Sequence, residues 1–125
     1  MAWRGAQLER IAKSEEIRIS TTRPDGSLRK LTPIWVVRVD RDLYIRAADG
    51  LNARWYWHAI EHHFAHIRAD GLSADVTLEP VRDRGLNSRI DAAYPAKYGS
   101  RIRWLERFLR TPATESTLRL EAATA

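Results

Sequence analysis

Two short apolar runs on either side of a tight turn constrain the chain more than any other feature of the sequence. The runs are residues 34–39 (IWVVRV) and 43–46 (LYIR), and Asp40-Arg41-Asp42 joins them. An earlier turn, Pro24-Asp25-Gly26, has proline where φ near −65° is needed and glycine where φ can be positive. Side chains alternate between two faces along 31–39, and both faces are apolar in the middle. We therefore expect strands that are covered on both sides, or on one side with a ligand wall on the other.

Composition limits the classes of protein to which the chain can belong. A length of 125 residues suits a single domain spanning residues 1–125. The absence of cysteine excludes disulfides, thiolate metal sites and a cysteine nucleophile, and is compatible with the cytoplasm. No apolar run approaches the roughly 20 residues of a membrane helix, and the N-terminus lacks the apolar segment of a secretory signal. The net charge is +5, and only three of the 21 basic residues are lysine. Arginine prefers bidentate partners such as phosphate or carboxylate, which is compatible with a phosphorylated small molecule or nucleic acid, but we favour a solvated arginine-rich surface.

The rest of the chain alternates between helical and strand patterns. The predicted elements are a helix at 5–14, a strand at 16–23, a helix at 53–61, hairpin strands at 64–69 and 75–81, a helix from Asn87 or Ser88 to Gly99, an amphipathic helix at 101–110 and a strand at 116–122. With the central strands, this makes about six strands and three helices, connected by hairpins. We predict an α+β fold, a six-stranded antiparallel split β-barrel with flanking helices.

Four residues predict where elements begin, bend or end. Asn52 is a plausible N-cap for the helix at 53–61, with Gly50 allowing the turn before it. Pro33 lies within a strand run and lacks a donor for the ladder, so it predicts an edge, a bulge or a bend. Pro95 predicts a new helical segment or a kink.

The first candidate site is the connection from the strand at 43–46 to the following helix. Free amide groups and the dipole of a helix N-terminus favour phosphate at such a connection. Arg46 and Arg54 flank it, and Arg29 and Lys30 are placed to converge from the neighbouring strand. Asp49 opposes the assignment, since a carboxylate repels phosphate. An ordinary strand-to-helix connection with surface arginines remains the alternative.

A histidine cluster and an aromatic cluster are the other candidate sites. His58 and His62 are four residues apart, a spacing that places two metal ligands on one helix face. We expect the helix to end near residue 61, so we favour structural or solvent-facing histidines over a metal site, including His63 and His66. The aromatic cluster (Trp35, Tyr44, Trp55, Tyr56 and Trp57) suits a flat ring system or core packing equally well, and Trp57 and Trp104 suit a core or an interface. Because no nucleophile elbow, Walker loop or GxGxxG motif is present, catalytic residues are unassigned and a cofactor would carry any chemistry.

The ordered motifs R-P-D-G, T-P-I-W-V-V, L-Y-I-R and W-Y, followed by HIRADG (66–71), DVTLEP (75–80) and AAYPAKYG (92–99), resemble the flavin-binding split-barrel superfamily. That group includes pyridoxamine 5'-phosphate oxidase-like proteins and deazaflavin-dependent nitroreductases. Within it, the sequence is most similar to a bacterial family of unknown function, over about residues 8–122.

The resemblance implies a tentative cofactor, FMN or a deazaflavin, and a set of residues that would bind it. Thr32, Pro33, Ile34 and Trp35 would wall the isoalloxazine ring. Arg46, Ala47, Ala48 and Gly50 would hold the phosphate, with Arg54 and Trp55 added by the helix start and Arg29 and Lys30 approaching the phosphate tail. The resemblance also implies a homodimer with the cofactor at the subunit interface.

The leading functional hypothesis is therefore a cytoplasmic flavin- or deazaflavin-binding oxidoreductase that transfers a hydride to a small substrate. The alternative is a protein of the same fold that holds a small ligand such as flavin or haem without catalysis. A nucleic-acid-binding module ranks below both because the sequence has no RNP-like or helix-turn-helix pattern. No membrane partner is expected.

Overall fold

A computed structural model describes residues 3–48, 50, 53–99 and 102–123 of the chain, with the side chains of 102–104, 111 and 112 left out. The described helices are α1 (Gly5–Lys13), α2 (Arg54–His62), α3 (Arg84–Tyr98), α4 (Ile102–Leu109) and α5 (Thr111–Glu115). The described strands are β1 (Ile17–Ser20), β2 (Thr32–Ile34), β3 (Val36–Val39), β4 (Asp42–Ile45), β5 (Phe64–Ala69), β6 (Leu72–Pro80) and β7 (Leu118–Ala122). None of the described helices is both long and apolar enough to cross a membrane.

All seven strands form one antiparallel sheet in the order β2-β1-β5-β6-β7-β4-β3. The two strands at the ends of this order, β2 and β3, are separated in the chain only by Trp35. The sheet therefore curls into a nearly closed barrel whose two edges belong to one bent stretch of chain. This confirms the predicted split β-barrel; the strand count is seven rather than six because the predicted run at 31–39 is divided at Trp35.

Pro33 explains where the sheet has its first edge. It lies in β2, opposite Arg18 of β1, and β2 has no second neighbour in the strand order. Since proline cannot donate to a ladder, an edge strand is the position where it costs least. The prediction that Pro33 marks an edge or bend is confirmed.

The two apolar faces of the central strands belong to two different cores. Ile34 and Val36 lie in the core inside the barrel, together with Ile17 and Ile19 of β1. On the other face, Val37 and Val39 belong to a second core, together with residues of α3 and α4. β3 is thus covered on both sides, as the apolar character of both faces predicted.

The C-terminal end of α3 fastens to the edge of β3. The Tyr98 hydroxyl accepts a hydrogen bond from the Val36 amide at 3.2 Å and donates to the Glu15 carbonyl at 2.7 Å. Lys97 Nζ donates to the carbonyls of Ser14 (2.7 Å) and Val36 (2.6 Å). The backbone of Val36 is therefore satisfied by side chains of a helix.

Three helix predictions need correction or completion. The predicted cap at Asn87 or Ser88 is wrong, because α3 begins at Arg84 and the Asp83 carboxylate caps it by accepting from the Leu86 amide at 2.7 Å. Pro95 lies inside the continuous α3 and does not start a new segment. The helix predicted at 101–110 is followed by the short, unpredicted helix α5, which has proline in its first turn. The predicted cap Asn52, and Arg101 at the start of the predicted amphipathic helix, lie outside the described residues.

Candidate ligand-binding site

Two adjoining cavities lie where β2, the end of β4 and the start of α2 meet. The first has a volume of about 380 Å³ and is lined by Thr32, Pro33, Ile34, Arg46, Ala48, Ala53, Arg54, Trp55 and Phe108. We call it the aromatic cavity. The second has a volume of about 340 Å³ and is lined by Ile19, Ser20, Thr21, Arg23, Arg29, Lys30, Thr32, Arg54, Trp55 and His58. We call it the basic cavity, and each volume falls in the range typical of small-ligand sites.

Three residues line both cavities: Thr32, Arg54 and Trp55. Arg54 and Trp55 are the first residues of α2, whose N-cap, Ala53, supplies no side-chain hydrogen bond. The positive end of this helix therefore lies at the boundary of the two cavities without a side-chain cap. One elongated ligand could occupy both cavities, with its middle at this boundary.

The basic cavity is strongly positive. Its lining contains Arg23, Arg29, Lys30 and Arg54, and none of the aspartates or glutamates that the structure describes. The Nε atom of Arg29 is buried, and no described residue accepts a hydrogen bond from it. A buried donor without an acceptor costs free energy, and this donor belongs to a side chain that lines the cavity.

The β1–β2 connection holds the basic cavity in shape. The Arg29 amide donates to the Thr21 carbonyl at 2.8 Å, and the Ser20 hydroxyl donates to the Arg29 carbonyl. Arg23 Nη1 donates to the Leu28 carbonyl at 2.8 Å. These contacts hold Arg23 and Arg29 on the β1–β2 side of the cavity, whereas Arg54 lies at the start of α2.

Arg46 occupies a different environment from these cations. Its side chain is fully buried, and Nε donates to Thr117 Oγ1 at 2.9 Å. Nη1 donates to Asp91 Oδ1 at 2.6 Å and to the Phe108 carbonyl at 3.0 Å. Nη2 donates to the carbonyl and the side-chain oxygen of Asn87, at 3.3 and 3.1 Å. Arg46 thus touches the aromatic cavity while all three of its nitrogens are paired within the protein.

Trp35 is packed between two aromatic rings. Its indole stacks on Tyr98 at 4.0 Å between ring centroids and on Phe108 at 4.7 Å, with nearly parallel planes. Tyr94 continues the stack from Phe108 at 5.2 Å. Trp35 therefore supports the aromatic cavity from behind, through Phe108, and does not line it.

The predicted binding residues fall into two groups, those that line one of the cavities and those that line neither. The structure brings nine of them to the two cavities: Arg29, Lys30, Thr32, Pro33, Ile34, Arg46, Ala48, Arg54 and Trp55. Trp35, Ala47 and Gly50 line neither. Ala47 is buried and its amide donates to Ser116 Oγ at 2.8 Å, while Gly50 has φ of 61° and bonds back to the Ala47 carbonyl at 2.9 Å. Asp49, the predicted opposing carboxylate, lies outside the described residues.

Sequence reasoning missed four polar residues of the basic cavity: Ser20, Thr21, Arg23 and, as a ligand contact, His58. The first three precede or begin the Pro24-Asp25-Gly26 turn, and a hairpin that brings residues 20–23 opposite 27–30 was the available signal. Phe108 of the aromatic cavity gave no such signal, because it comes from a helix far along the chain.

The histidines do not converge. His58 and His62 both belong to α2, so their four-residue spacing does hold, contrary to the expectation that the helix ends near residue 61. His63 ends the helix with φ of 53° and its Nδ1 pairs with the Leu78 carbonyl, while His66 pairs with Asp75 across the β5–β6 ladder. Among the described residues, no group of three or more possible ligands is placed to hold a metal ion.

The curled seven-stranded sheet with its flanking helices has the fold of a split β-barrel. Residues 7–120 match the bacterial family described as "Uncharacterized protein conserved in bacteria (DUF2255)", and the chain belongs to that family. No curated protein matches the sequence.

Three solved structures illustrate the shared fold. The haem storage protein HutZ from Vibrio cholerae has a TM-score of 0.68 and 14% identity, covering 100% of this chain and 93% of its own. An F420-H2-dependent reductase, FDR-A, has a TM-score of 0.62 and 13% identity, with coverages of 86% and 94%. An FAD-binding protein from Mesorhizobium loti has a TM-score of 0.58 and 13% identity, with coverages of 99% and 93%. At these identities the similarity establishes the fold alone.

Proposed function

We propose that the protein is a cytoplasmic oxidoreductase that binds a flavin or deazaflavin across the two cavities and reduces a small substrate. The observation that carries the proposal is that a cavity lined in part by aromatic and aliphatic side chains shares Thr32, Arg54 and Trp55 with a cavity lined by four cations. A flavin-type molecule has the same division, with a flat ring at one end and an anionic tail at the other. The unpartnered Arg29 Nε and the uncapped start of α2 fit such a tail.

The residues of the chain would bind and orient the flavin or deazaflavin. Pro33, Ile34 and Phe108 would pack against the ring, and Trp55 would contact it where the two cavities meet. Arg29, Lys30 and Arg54 would bind the tail through charge-assisted hydrogen bonds. Ala48 adds only a methyl group to the wall, which leaves room for the ring. A bound flavin or deazaflavin would supply the hydride chemistry itself.

Arg46 has a different role in this proposal from the one its sequence position predicted. Its nitrogens are all paired, so it would shape the wall of the aromatic cavity through Asn87, Asp91 and the Phe108 carbonyl. The contacts of Ala47 and Gly50 likewise fix the backbone at the exit of β4. We assign these three residues to the support of the site.

The direct test is an absorbance spectrum of freshly purified protein from about 300 to 600 nm, followed by titration with FMN and a deazaflavin. We expect bands that stay with the protein through gel filtration, or saturable binding on titration. Arg54→Ala should weaken binding by on the order of tenfold or more, the loss expected for one charge-assisted contact. Arg41→Ala removes the same charge from the exposed β3–β4 turn and should leave binding unchanged. A colourless protein that binds neither cofactor would refute the proposal.

A ligand-binding protein without catalysis is the second candidate. Among the described residues, the aromatic cavity has only two titratable side chains, Arg46 and Arg54, and neither is suited to proton transfer near neutral pH. His58 in the basic cavity is a possible axial ligand for haem. Haem binding that produces a Soret band and is lost in His58→Ala, together with no turnover of bound flavin by any reductant, would favour this candidate.

We also propose that the protein is a homodimer. Trp57 of α2 is 52% exposed, and Phe64 at the start of β5 is 38% exposed. Large aromatic side chains at the surface are typical of interfaces. Light scattering coupled to gel filtration should give twice the monomer mass, and a monomer mass for the flavin-loaded protein would contradict this part of the proposal.

A further inference from the structure

The basic cavity holds more positive charge than a single phosphate requires. Arg23, Arg29, Lys30 and Arg54 line it, and the half-buried His58 adds a fifth nitrogen base. Among the residues with described positions, no carboxylate belongs to the lining. Asp25, in the turn that follows Arg23, already accepts hydrogen bonds from the amide (2.9 Å) and hydroxyl (2.6 Å) of Ser27.

The cations are also available to a ligand. Neither Lys30 nor Arg54 forms a hydrogen bond or ion pair with a residue that the structure describes, and both side chains are exposed. Arg29 keeps a buried Nε without an acceptor. Only Arg23 is engaged, through one nitrogen, with Leu28 and Ser27.

The size of the basic cavity points in the same direction. Its volume of about 340 Å³ is room for about ten water-sized groups, taking roughly 30 Å³ for each. One phosphate has five heavy atoms and would fill about half of that room. A single dianion would also leave at least two of the four cations without a counter-charge.

We infer that the basic cavity binds a tail with two or more anionic groups, such as a diphosphate, or a phosphodiester followed by carboxylates. This inference rests on the proposed function, and it narrows the cofactor class from any flavin to those with a polyanionic tail. The aromatic cavity binds the ring in every case, so the tail decides which member of the class binds most tightly.

The test compares four ligands that share a similar ring and differ in their tails. Riboflavin has no anionic group, FMN has one phosphate, FAD has a diphosphate, and F420 has a phosphodiester with glutamate carboxylates. We expect dissociation constants to fall by at least about tenfold from riboflavin to FMN and again from FMN to FAD or F420, as ion pairs are added. The advantage of the polyanionic tails should shrink as salt is raised, because the exposed cations are screened.

Substitutions in the basic cavity test whether its cations cause the preference for polyanionic tails. Arg29→Ala and Lys30→Ala should each reduce the preference for FAD or F420 over riboflavin by about tenfold, while riboflavin binding stays the same. Arg41→Ala and Lys13→Ala are the matched controls, since both remove an exposed charge outside the cavity. Equal affinity for FMN and for both polyanionic ligands would overturn the inference and leave the proposed function intact.

A second measurement distinguishes a failure of this inference from a failure of the proposed function. Thermal unfolding with pyrophosphate, compared with phosphate at equal ionic strength, tests the cavity without a ring. A larger stabilisation by pyrophosphate that disappears in Arg29→Ala supports the inference even if no flavin binds, in which case only the proposed function fails. Equal stabilisation by the two anions, or none, overturns the inference.

Discussion

Arg46 and the cations of the basic cavity lie on two sides of the same candidate site and are satisfied in opposite ways. Arg46 is fully buried and donates five hydrogen bonds to protein acceptors, one of them to the carboxylate of Asp91. In the part of the basic cavity that the structure describes, Arg29 keeps a buried donor without an acceptor, and no carboxylate belongs to the lining. The difference teaches that a basic residue in a predicted anion site marks a ligand contact only where the fold leaves it short of partners.

The largest effect is expected from removing the paired cation. Arg46→Met should lower the free energy of unfolding by about 3–5 kcal/mol, because Asp91 and four other acceptors would lose their donor inside the protein. Urea unfolding followed by circular dichroism measures this. Arg54→Met, which removes a cation exposed at the basic cavity, should change stability by no more than about 0.5 kcal/mol. Similar losses of unfolding free energy in the two variants would contradict the distinction between Arg46 and the cations of the basic cavity.

A smaller loss is expected from neutralising the partner of Arg46. Asp91→Asn keeps an oxygen that can accept from Nη1 but removes the negative charge, so we expect a loss of about 1–2 kcal/mol. The side chain of Asp91 is 44% exposed, and this exposure limits the effect. Glu9→Gln, which removes an exposed carboxylate from α1, is the matched control for unfolding measurements. No change in Asp91→Asn would mean that the carbonyl acceptors alone hold Arg46.

Lys97 provides an intermediate case, since it is half-buried and hydrogen-bonds carbonyl groups. Burial lowers the pKa of Lys97 from 10.5 to about 8, with nearby Glu15 acting in the opposite direction. Between these two pH values the unfolded chain binds more protons than the folded protein, so stability should rise with pH.

The expected rise is less than about 1 kcal/mol per pH unit, since a half-buried ammonium is partly screened. The measurement is the difference in unfolding free energy between wild type and Lys97→Met at pH 7.5, 8.5 and 9.5. Burial raises the pKa of Tyr44 and Tyr56, which opposes stability near and above pH 10, but that contribution is common to both proteins. If the difference in unfolding free energy between the two proteins does not change with pH, the lowered pKa of Lys97 is contradicted.

The smallest effect on stability is expected from substituting Arg29, one of the cations of the basic cavity. Arg29→Met removes the unpartnered Nε while keeping an unbranched apolar side chain, so stability should stay the same or increase by up to about 1 kcal/mol. Anion binding should fall in the same variant. A clear destabilisation of ligand-free Arg29→Met would show that Arg29 already has a structural partner.

The sequence predicted the barrel well because its strands carry local signals. Alternation placed Val36 and Val37 on opposite faces, Pro33 indicated the edge, and the Asp70-Gly71 hairpin has positive φ at both residues, as its composition suggests. The start of α3 was misplaced because Arg84 and Gly85 are weak local signals, and only the contact from Asp83 to the Leu86 amide defines it.

The candidate site was predictable in part for the same reason. Thr32, Ile34, Arg54 and Trp55 are adjacent to strong motifs, and they line the cavities. The environment of Arg46 was not predictable, because its partners Asn87, Asp91, Phe108 and Thr117 lie 41 to 71 residues further along the chain. Local patterns carry no information about such contacts, and only the packing of α3 and α4 on the barrel creates them.

The attachment of α3 to Val36 has a consequence for the behaviour of the protein in concentrated solution. A barrel that is interrupted at one point exposes strand edges there, and an exposed edge can recruit a strand from another molecule. Tyr98 and Lys97 occupy both the amide and the carbonyl of Val36. A foreign strand would have to displace a buried aromatic ring and a lysine before it could add to β3, so these two side chains protect the molecule against edge-to-edge aggregation.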